Sequence, residues 1–180
     1  MKVTPFNLTI TSLLVLFMLA FIAGQFFGIR WNKTSSIPTG FYQISDIPEK
    51  GLKRNELVIA CPEDTQMQRQ ALDRGYLLYG FACDGGFAPI FKKVMAFPGD
   101  KIQISDEKIS INGVSIKNSK RHLFDANGRV LSVKSSSNVV PEGFVWLLSD
   151  YTDKSWDSRY FGSVPIKSIF GVAKPIWLFE

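Results

Sequence analysis

No aspartate, glutamate, lysine or arginine occurs between Lys2 and Arg30, and this gap constrains the chain more than any other feature. Leu8 to Ile29 reads LTITSLLVLFMLAFIAGQFFGI, 22 residues broken only by threonine, serine and one glutamine. As a helix it would be about 33 Å long, enough for a hydrocarbon core of about 30 Å. A cleavable leader has an apolar stretch of about 7–15 residues ending at a small-x-small site. Here the stretch is longer, and the pairs Met18/Ala20, Phe21/Ala23 and Ile22/Gly24 each put a large residue first. The expectation is a retained single transmembrane helix, with residues 1–30 a membrane anchor and residues 31–180 a separate domain.

Charge does not orient that anchor. Lys2 and the α-amine lie before it and Arg30 and Lys33 after it, a near tie on the positive-inside count that leans, if anything, to a cytoplasmic domain. Without Lys2 and Arg30, 19 of the 21 basic residues remain against 16 acidic ones, leaving a mild excess of about +3 on residues 31–180. With no basic stripe interleaved with aromatics, no nucleic-acid partner is expected. The chain has a single histidine, His122, and two cysteines, Cys61 and Cys83. That is poor material for a metal site, so no metal or cofactor is expected. It also argues against a Ser–His–Asp mechanism, because His122 follows Ser119-Lys120-Arg121, which reads as solvated basic surface. Another base has to be found.

After the anchor the pattern is mainly β. Trp31 suits a membrane interface, and residues 32–40 (NKTSSIPTG) are loop material with Pro38 and Gly40 setting turns. Residues 41–44 and 57–60 read as short strands. Residues 65–74 (TQMQRQALDR) predict one short helix, capped by Asp64 or Thr65 and stopped at Gly75. Residues 101–104 and 108–111 alternate, and Asn112-Gly113 is a strong hairpin signal leading into 114–116. Residues 143–148 and 169–179 look like buried strands, the latter broken at Pro175. The expected fold is thus an antiparallel β domain with one short helix, behind a single transmembrane helix.

Three segments carry chemistry. The first is Thr34-Ser35-Ser36-Ile37-Pro38-Thr39-Gly40, an ordinary turn except that Ser36 lies seven residues past the apolar stretch. The second is Ile90 to Asp100, IFKKVMAFPGD. On a strand Lys92 and Lys93 face opposite sides, so one can point inward. A buried lysine loses proton affinity and can serve as a general base; alternatively both amines reach water. The third is Leu148 to Gly162, LSDYTDKSWDSRYFG, which on its own is a polar loop where Asp157 and Arg159 could make a surface ion pair worth little.

Together these segments resemble the bacterial type I signal peptidases, membrane-anchored serine proteases with a Ser–Lys dyad, and within them the conjugative-transfer, TraF-type branch. The first box is similar to Asn-x-x-x-Ser-x-Pro-x-Gly-x-Tyr, here Asn32, Ser36, Pro38, Gly40 and Tyr42. The second resembles Lys-(Arg/Lys)-Val…Pro-Gly-Asp, here Lys92, Lys93, Val94, Pro98, Gly99 and Asp100. The third resembles Gly-Asp-x-x-x-x-Ser-x-Asp-Ser-Arg-Tyr-x-Gly, here Asp150, Ser155, Asp157, Ser158, Arg159, Tyr160 and Gly162. There are departures: Ser36-Ile37-Pro38 replaces the Ser-Met-x-Pro of the general enzymes, Lys93 stands where Arg is commoner, Tyr151-Thr152 replaces Asn-Arg, and Ser149 replaces the Gly before Asp150. The resemblance spans nearly the whole chain.

It implies that Ser36 is the nucleophile and neutral Lys92 its base, with Ser35 and Lys93 the rivals for those roles. Ser155 would orient the lysine, and Asp157 and Arg159 would hold their loop against the site. The Ser36 N–H and the Thr34 hydroxyl would form the oxyanion hole. Cysteine pairs occur in TraF-like sequences, so Cys61 and Cys83 would form a disulfide in an oxidising compartment, two buried thiols being the alternative; a disulfide would place the domain on the periplasmic face of the bacterial inner membrane. The partner would be a secreted precursor, a pilin-like subunit of a conjugative or type IV secretion system, cut after small side chains. A general preprotein signal peptidase and a non-catalytic anchored assembly module are the alternatives. Oligomeric state is not indicated.

Overall fold

The structure is a computed structural model that describes residues 5–105, 107–133 and 138–179. It opens with a helix, α1 (Pro5–Phe26), on which the described apolar side chains from Ile10 to Leu19, and Phe26, are exposed. Among the described residues no helix is long and apolar enough to cross a membrane. Lys2 lies outside the described residues.

The rest is mainly β, as the alternating segments predict. A seven-stranded sheet has the order β1-β2-β11-β3-β5-β9-β10, with every neighbouring pair antiparallel. Its strands are β1 (Ile29–Asn32), β2 (Gly40–Ser45), β3 (Leu57–Ala60), β5 (Ile90–Ala96), β9 (Phe144–Leu148), β10 (Val164–Pro165) and β11 (Ile169–Leu178). The short β4 (Tyr79–Cys83) lies outside it, and a second, three-stranded sheet holds β6 (Ile102–Ile104), β7 (Ile109–Ile111) and β8 (Val114–Ser115). Asn112 and Gly113, both at positive φ, make the tight turn between β7 and β8, the backbone that an Asn-Gly pair permits.

Among the described residues two α-helices follow α1 where one was expected. In α2 (Gln66–Asp73) the Thr65 side chain caps the N-terminus by accepting from the Gln68 N–H, and Gly75 follows at φ 78°. Gln68, Ala71 and Leu72, spaced three and four apart, turn inward as one helical face must. The extra helix, α3 (Ser158–Phe161), is a single turn capped by the Asp157 side chain, too short to leave a periodic trace. Pro175 does not break the last strand; β11 continues to Leu178 through a register shift between Pro175 and Trp177.

The core lies on both faces of β5 and β9. On one, Val58, Val94, Val145 and Leu147 pack with Leu72, Trp156 and Tyr160. On the other, Met95, Trp146 and Leu148 meet Ile102, Ile109 and Ile111 of the small sheet. A third cluster explains the sheet's shape. Strands β11 and β3 lie between β2 and β5, so a flat sheet would hold them about 14 Å apart. Yet the rings of Tyr42 and Phe91 are 5.4 Å apart and share a core with Ile37, Ile59 and Ala173. The sheet therefore curls, bringing the β1–β2 hairpin over β5.

Cys61 and Cys83 are joined, with Cα atoms 5.4 Å apart. The bond ties the chain after β3 to the end of β4 and closes the excursion that carries α2. At the other end of the curl, Gly40 opens β2 with φ +155°; a Cβ there would stand 2.8 Å from Leu178 Cα and closer still to the Trp177 carbonyl oxygen. Gly40→Ala should therefore cost about 2–3 kcal/mol by forcing β2 away from β11, read as a lower denaturation midpoint by tryptophan fluorescence. An unchanged midpoint would show that β11 yields without cost.

Candidate active site

The β1–β2 hairpin pairs Asn32 with Gly40 and leaves residues 33–39 as its loop. Asn32 is buried and ties the loop from inside. Its Nδ2 donates to the carbonyls of Thr34 (2.8 Å), Ile37 (3.3 Å) and Pro38 (3.2 Å), while its Oδ1 accepts from Thr34 N–H and Oγ1–H. Tyr42 adds a bond from its hydroxyl to the Pro38 carbonyl at 2.6 Å; burial, then the charge of Tyr151, holds that phenol above its ordinary pKa. Ile37 is buried as a plug. These contacts give the Asn…Ser-x-Pro-x-Gly-x-Tyr spacing its physical meaning: it fixes a short loop with half-buried Ser36 at its crest.

Lys92 sits on β5, paired with Val58 and only 3% exposed. Lys93 takes the opposite face and forms an ion pair with Asp150 at 2.8 Å, both side chains about a third exposed. Alternation thus separates the two lysines as expected, and the buried one is Lys92. Loss of water lowers its pKa to about 8 from the ordinary 10.5; the nearby Asp157 charge pulls it back up and Arg159 pushes it down. Among the described residues the amine is governed by burial and charge, with no hydrogen bond to the Ser36 hydroxyl.

Behind the lysine lies a buried polar network. Asp157 and Arg159 are both 0% exposed, so the surface pair that the bare segment allows is instead an interior one. Arg159 Nε donates to Asp157 Oδ1 at 2.7 Å and Nη2 to Oδ2 at 3.0 Å. Nη1 goes to the carbonyls of Asn118, Lys120 and Asp153, and Nη2 also to that of Ser149. The guanidinium fork is filled, as a buried charge requires. Asp157 Oδ2 accepts the Ser149 N–H at 3.0 Å, and the Ser149 hydroxyl donates to the Ser36 carbonyl at 2.5 Å. Ser155 is buried, and among the described residues its Oγ has no hydrogen-bond partner.

Two concavities meet at Ser36. A cavity of about 240 Å³ is lined by Ser36, Thr34, Lys92, Ile59, Ile90 and Phe91, among others. A larger groove of about 650 Å³ is lined by Ser35, Ser36, Ser155, His122, Tyr76 and Trp156, among others. The structure thus brings Ser36 and Lys92 to one cavity and Ser36 and Ser155 to the other. Thr34 lines both, with its hydroxyl proton committed to Asn32. His122 is not the plain surface residue its neighbours suggest: it lines the groove, its ring nitrogen lies 3.0 Å from Asp153, and its N–H donates to the Tyr160 hydroxyl. Nor is Ser119 solvated; it is buried, and its Oγ accepts from the Ile109 N–H and donates to the Ile116 carbonyl. In the sequence Ser149 stands out only as a departure from Gly; no local pattern marks a serine whose three polar groups bond five other residues.

Residues 4–178 match the family described as signal peptidase, peptidase S26. Similar proteins include a "Conjugal transfer protein TraF" of Agrobacterium fabrum (strain C58), 35% identical over 161 residues, 89% of each chain. Another is a "Plasmid transfer protein TraF" of Escherichia coli, 35% identical over 150 residues, 83% of this chain and 82% of that one. A solved signal peptidase I from Enterococcus faecalis V583 aligns with TM-score 0.41 at 22% identity, covering 70% of this chain and 97% of the other.

Replacing Asp157 by Asn should leave Arg159 as an uncompensated buried charge, costing about 3–5 kcal/mol in chemical denaturation. A loss below about 1 kcal/mol would mean that the pair is solvated in solution. By its family match over nearly its whole length and the likeness of its relatives, the chain belongs to the signal peptidase, peptidase S26 family.

Proposed function

We propose that the protein is a membrane-anchored serine endopeptidase with a Ser36–Lys92 dyad, which removes the leader of a secreted precursor. The observation that carries this reading is a buried amine, drawn toward neutrality, opening on the same cavity as a serine held rigidly on a clamped loop. Neutral Lys92 takes the Ser36 proton as the hydroxyl attacks the scissile carbonyl. It then returns that proton to the leaving amine. The acyl-serine is released by water along the same route. The Ser36 N–H and the Thr34 hydroxyl, turned from Asn32, serve the oxyanion. Ser155, with its hydroxyl unspent, holds the lysine amine, while Asp157 and Arg159 fix the loop from behind.

Residues 1–30 carry the anchor, the last two of them already paired in β1, and residues 31–180 form the catalytic domain. Support comes from an uncharged sequence between Lys2 and Arg30 and from the exposed apolar side chains of α1. Exposed Trp31 and Trp177 suit a membrane interface beside that helix. The disulfide supports a periplasmic domain on a bacterial inner membrane. The names of the relatives support a role in conjugation, with a pilin-like precursor as substrate. A general signal peptidase is the second reading, favoured by 33% identity over 90 residues to a "Signal peptidase I" of Bacillus caldolyticus. A panel of exported precursors separates the two, because only a general enzyme cuts most of them.

Ser36→Ala and Lys92→Ala should each abolish precursor cleavage while the chain stays folded and membrane-bound; cleavage retained by either would overturn the dyad. Only neutral Lys92 is a base, so the rate should rise with pH through about 8. Folding follows the same sign. The folded lysine binds its proton more weakly than the unfolded one, so stability rises with pH between about 8 and 10.5 and is lowest below that window. Lys92→Met should therefore be inactive yet more stable than the wild type at pH 7, measured by chemical denaturation. Lower stability would show that the buried ammonium is well solvated or well paired.

A further inference from the structure

We propose that Ser149 is the positioning residue of the nucleophile: its hydroxyl holds the Ser36 main chain in register with the support built on Asp157 and Arg159. The inference rests on Ser36 being the nucleophile and extends that reading to a residue outside the dyad.

Ser149 is fully buried, one residue beyond the end of β9, and all three of its polar groups are used. Its N–H donates to Asp157 Oδ2 at 3.0 Å, and its carbonyl accepts from Arg159 Nη2 at 2.9 Å. Its hydroxyl donates to the Ser36 carbonyl at 2.5 Å and accepts from the Tyr151 and Thr152 N–H groups at 3.2 and 3.3 Å. The two accepted bonds leave the hydroxyl proton one direction, toward Ser36. Strand β9 also pairs with β5, Leu148 lying opposite Lys93, so Ser149 follows directly on the strand beside the one that carries the base. Ser149 thus links nucleophile loop, base strand and buried ion pair, its hydroxyl reaching the loop and its main chain the ion pair. Asn32 and Tyr42 secure the loop internally, but their bonds reach only residues within the hairpin. Ser149 bonds the nucleophile's own carbonyl from the opposite wall. A glycine at this position could make the two main-chain bonds and not the third.

The full-length chain in detergent, with a fluorogenic peptide carrying an Ala-x-Ala segment, provides the test. Ser149→Ala should lower kcat by about 10- to 100-fold, the scale of a misplaced reacting group, with KM within about twofold. The rise of rate with pH should keep its midpoint, since Lys92 is untouched, and Ser149→Thr, which keeps a hydroxyl, should recover part of the loss. A kcat within about twofold of wild type, or a loss accompanied by a moved pH midpoint, would overturn the proposal; the latter would mean that Ser149 acts on the lysine. Ser36→Ala is the control for the underlying reading: if it cleaves as the wild type does, the dyad fails, whatever Ser149 does. A second measurement needs neither variant nor turnover. A ¹³C label at the Ser36 carbonyl should resonate downfield, as a short hydrogen bond demands, and a resonance in the range of solvated carbonyls would overturn the proposal.

Discussion

The buried pair of Asp157 and Arg159 is the interaction on which the arrangement turns. Neither group could remain charged in the interior without the other, and each is spent to capacity. The carboxylate starts α3 and holds the Ser149 N–H; the guanidinium gathers carbonyls from the 149–153 loop and from Asn118 and Lys120, just beyond the small sheet. The pair therefore joins the end of β9, the α3 turn and the segment after β8 into one unit. Its opposed charges also reach Lys92 with opposite effects, one raising and one lowering the amine's proton affinity. Desolvation, the largest influence, is left to set that affinity.

Around this unit the fold solves a problem of distance. Ser36, on the β1–β2 hairpin loop, and Lys92, on β5, belong to elements separated by two strands, and only a curled sheet brings them to one cavity. The curl is sustained by apolar packing of Ile37, Tyr42, Ile59, Phe91 and Ala173 and by the absence of a side chain at Gly40, where β2 meets β11. Rigidity of the loop comes from Asn32, one amide side chain serving five contacts in the turn. The loop is preorganised by hydrogen bonds whose partners are all nearby in sequence, except for the bond from Ser149.

How much of this was legible in the sequence follows from the range of each interaction. Alternation showed that Lys92 and Lys93 face opposite ways, while the resemblance chose Lys92; burial depends on what packs against each face, which periodicity does not encode. The Asn112-Gly113 hairpin and the capped helix after Thr65 were legible because their chemistry is local. Strand β4 was not: its residues are mostly exposed and lack alternation. The 149–159 segment misled. Its polar residues read as surface, yet Asp157, Arg159 and Ser149 are buried, because they bond one another and, through Arg159 and Ser149, reach Asn118, Lys120 and Ser36 far along the chain. His122 shows the same limit, since Tyr160 and Asp153, more than thirty residues away, place it on the groove wall.

The proposed chemistry requires folding to convert an ordinary lysine into a base available near neutral pH. Direct titration of the Lys92 side chain by NMR, following its labelled Cε and Nζ resonances in the full-length chain with Ser36 intact, tests this without any substrate. The expected midpoint is about 8, well below the ordinary 10.5. A midpoint at or above the ordinary value would contradict it, because Lys92 would then be a protonated structural cation and Ser36 would lack its base.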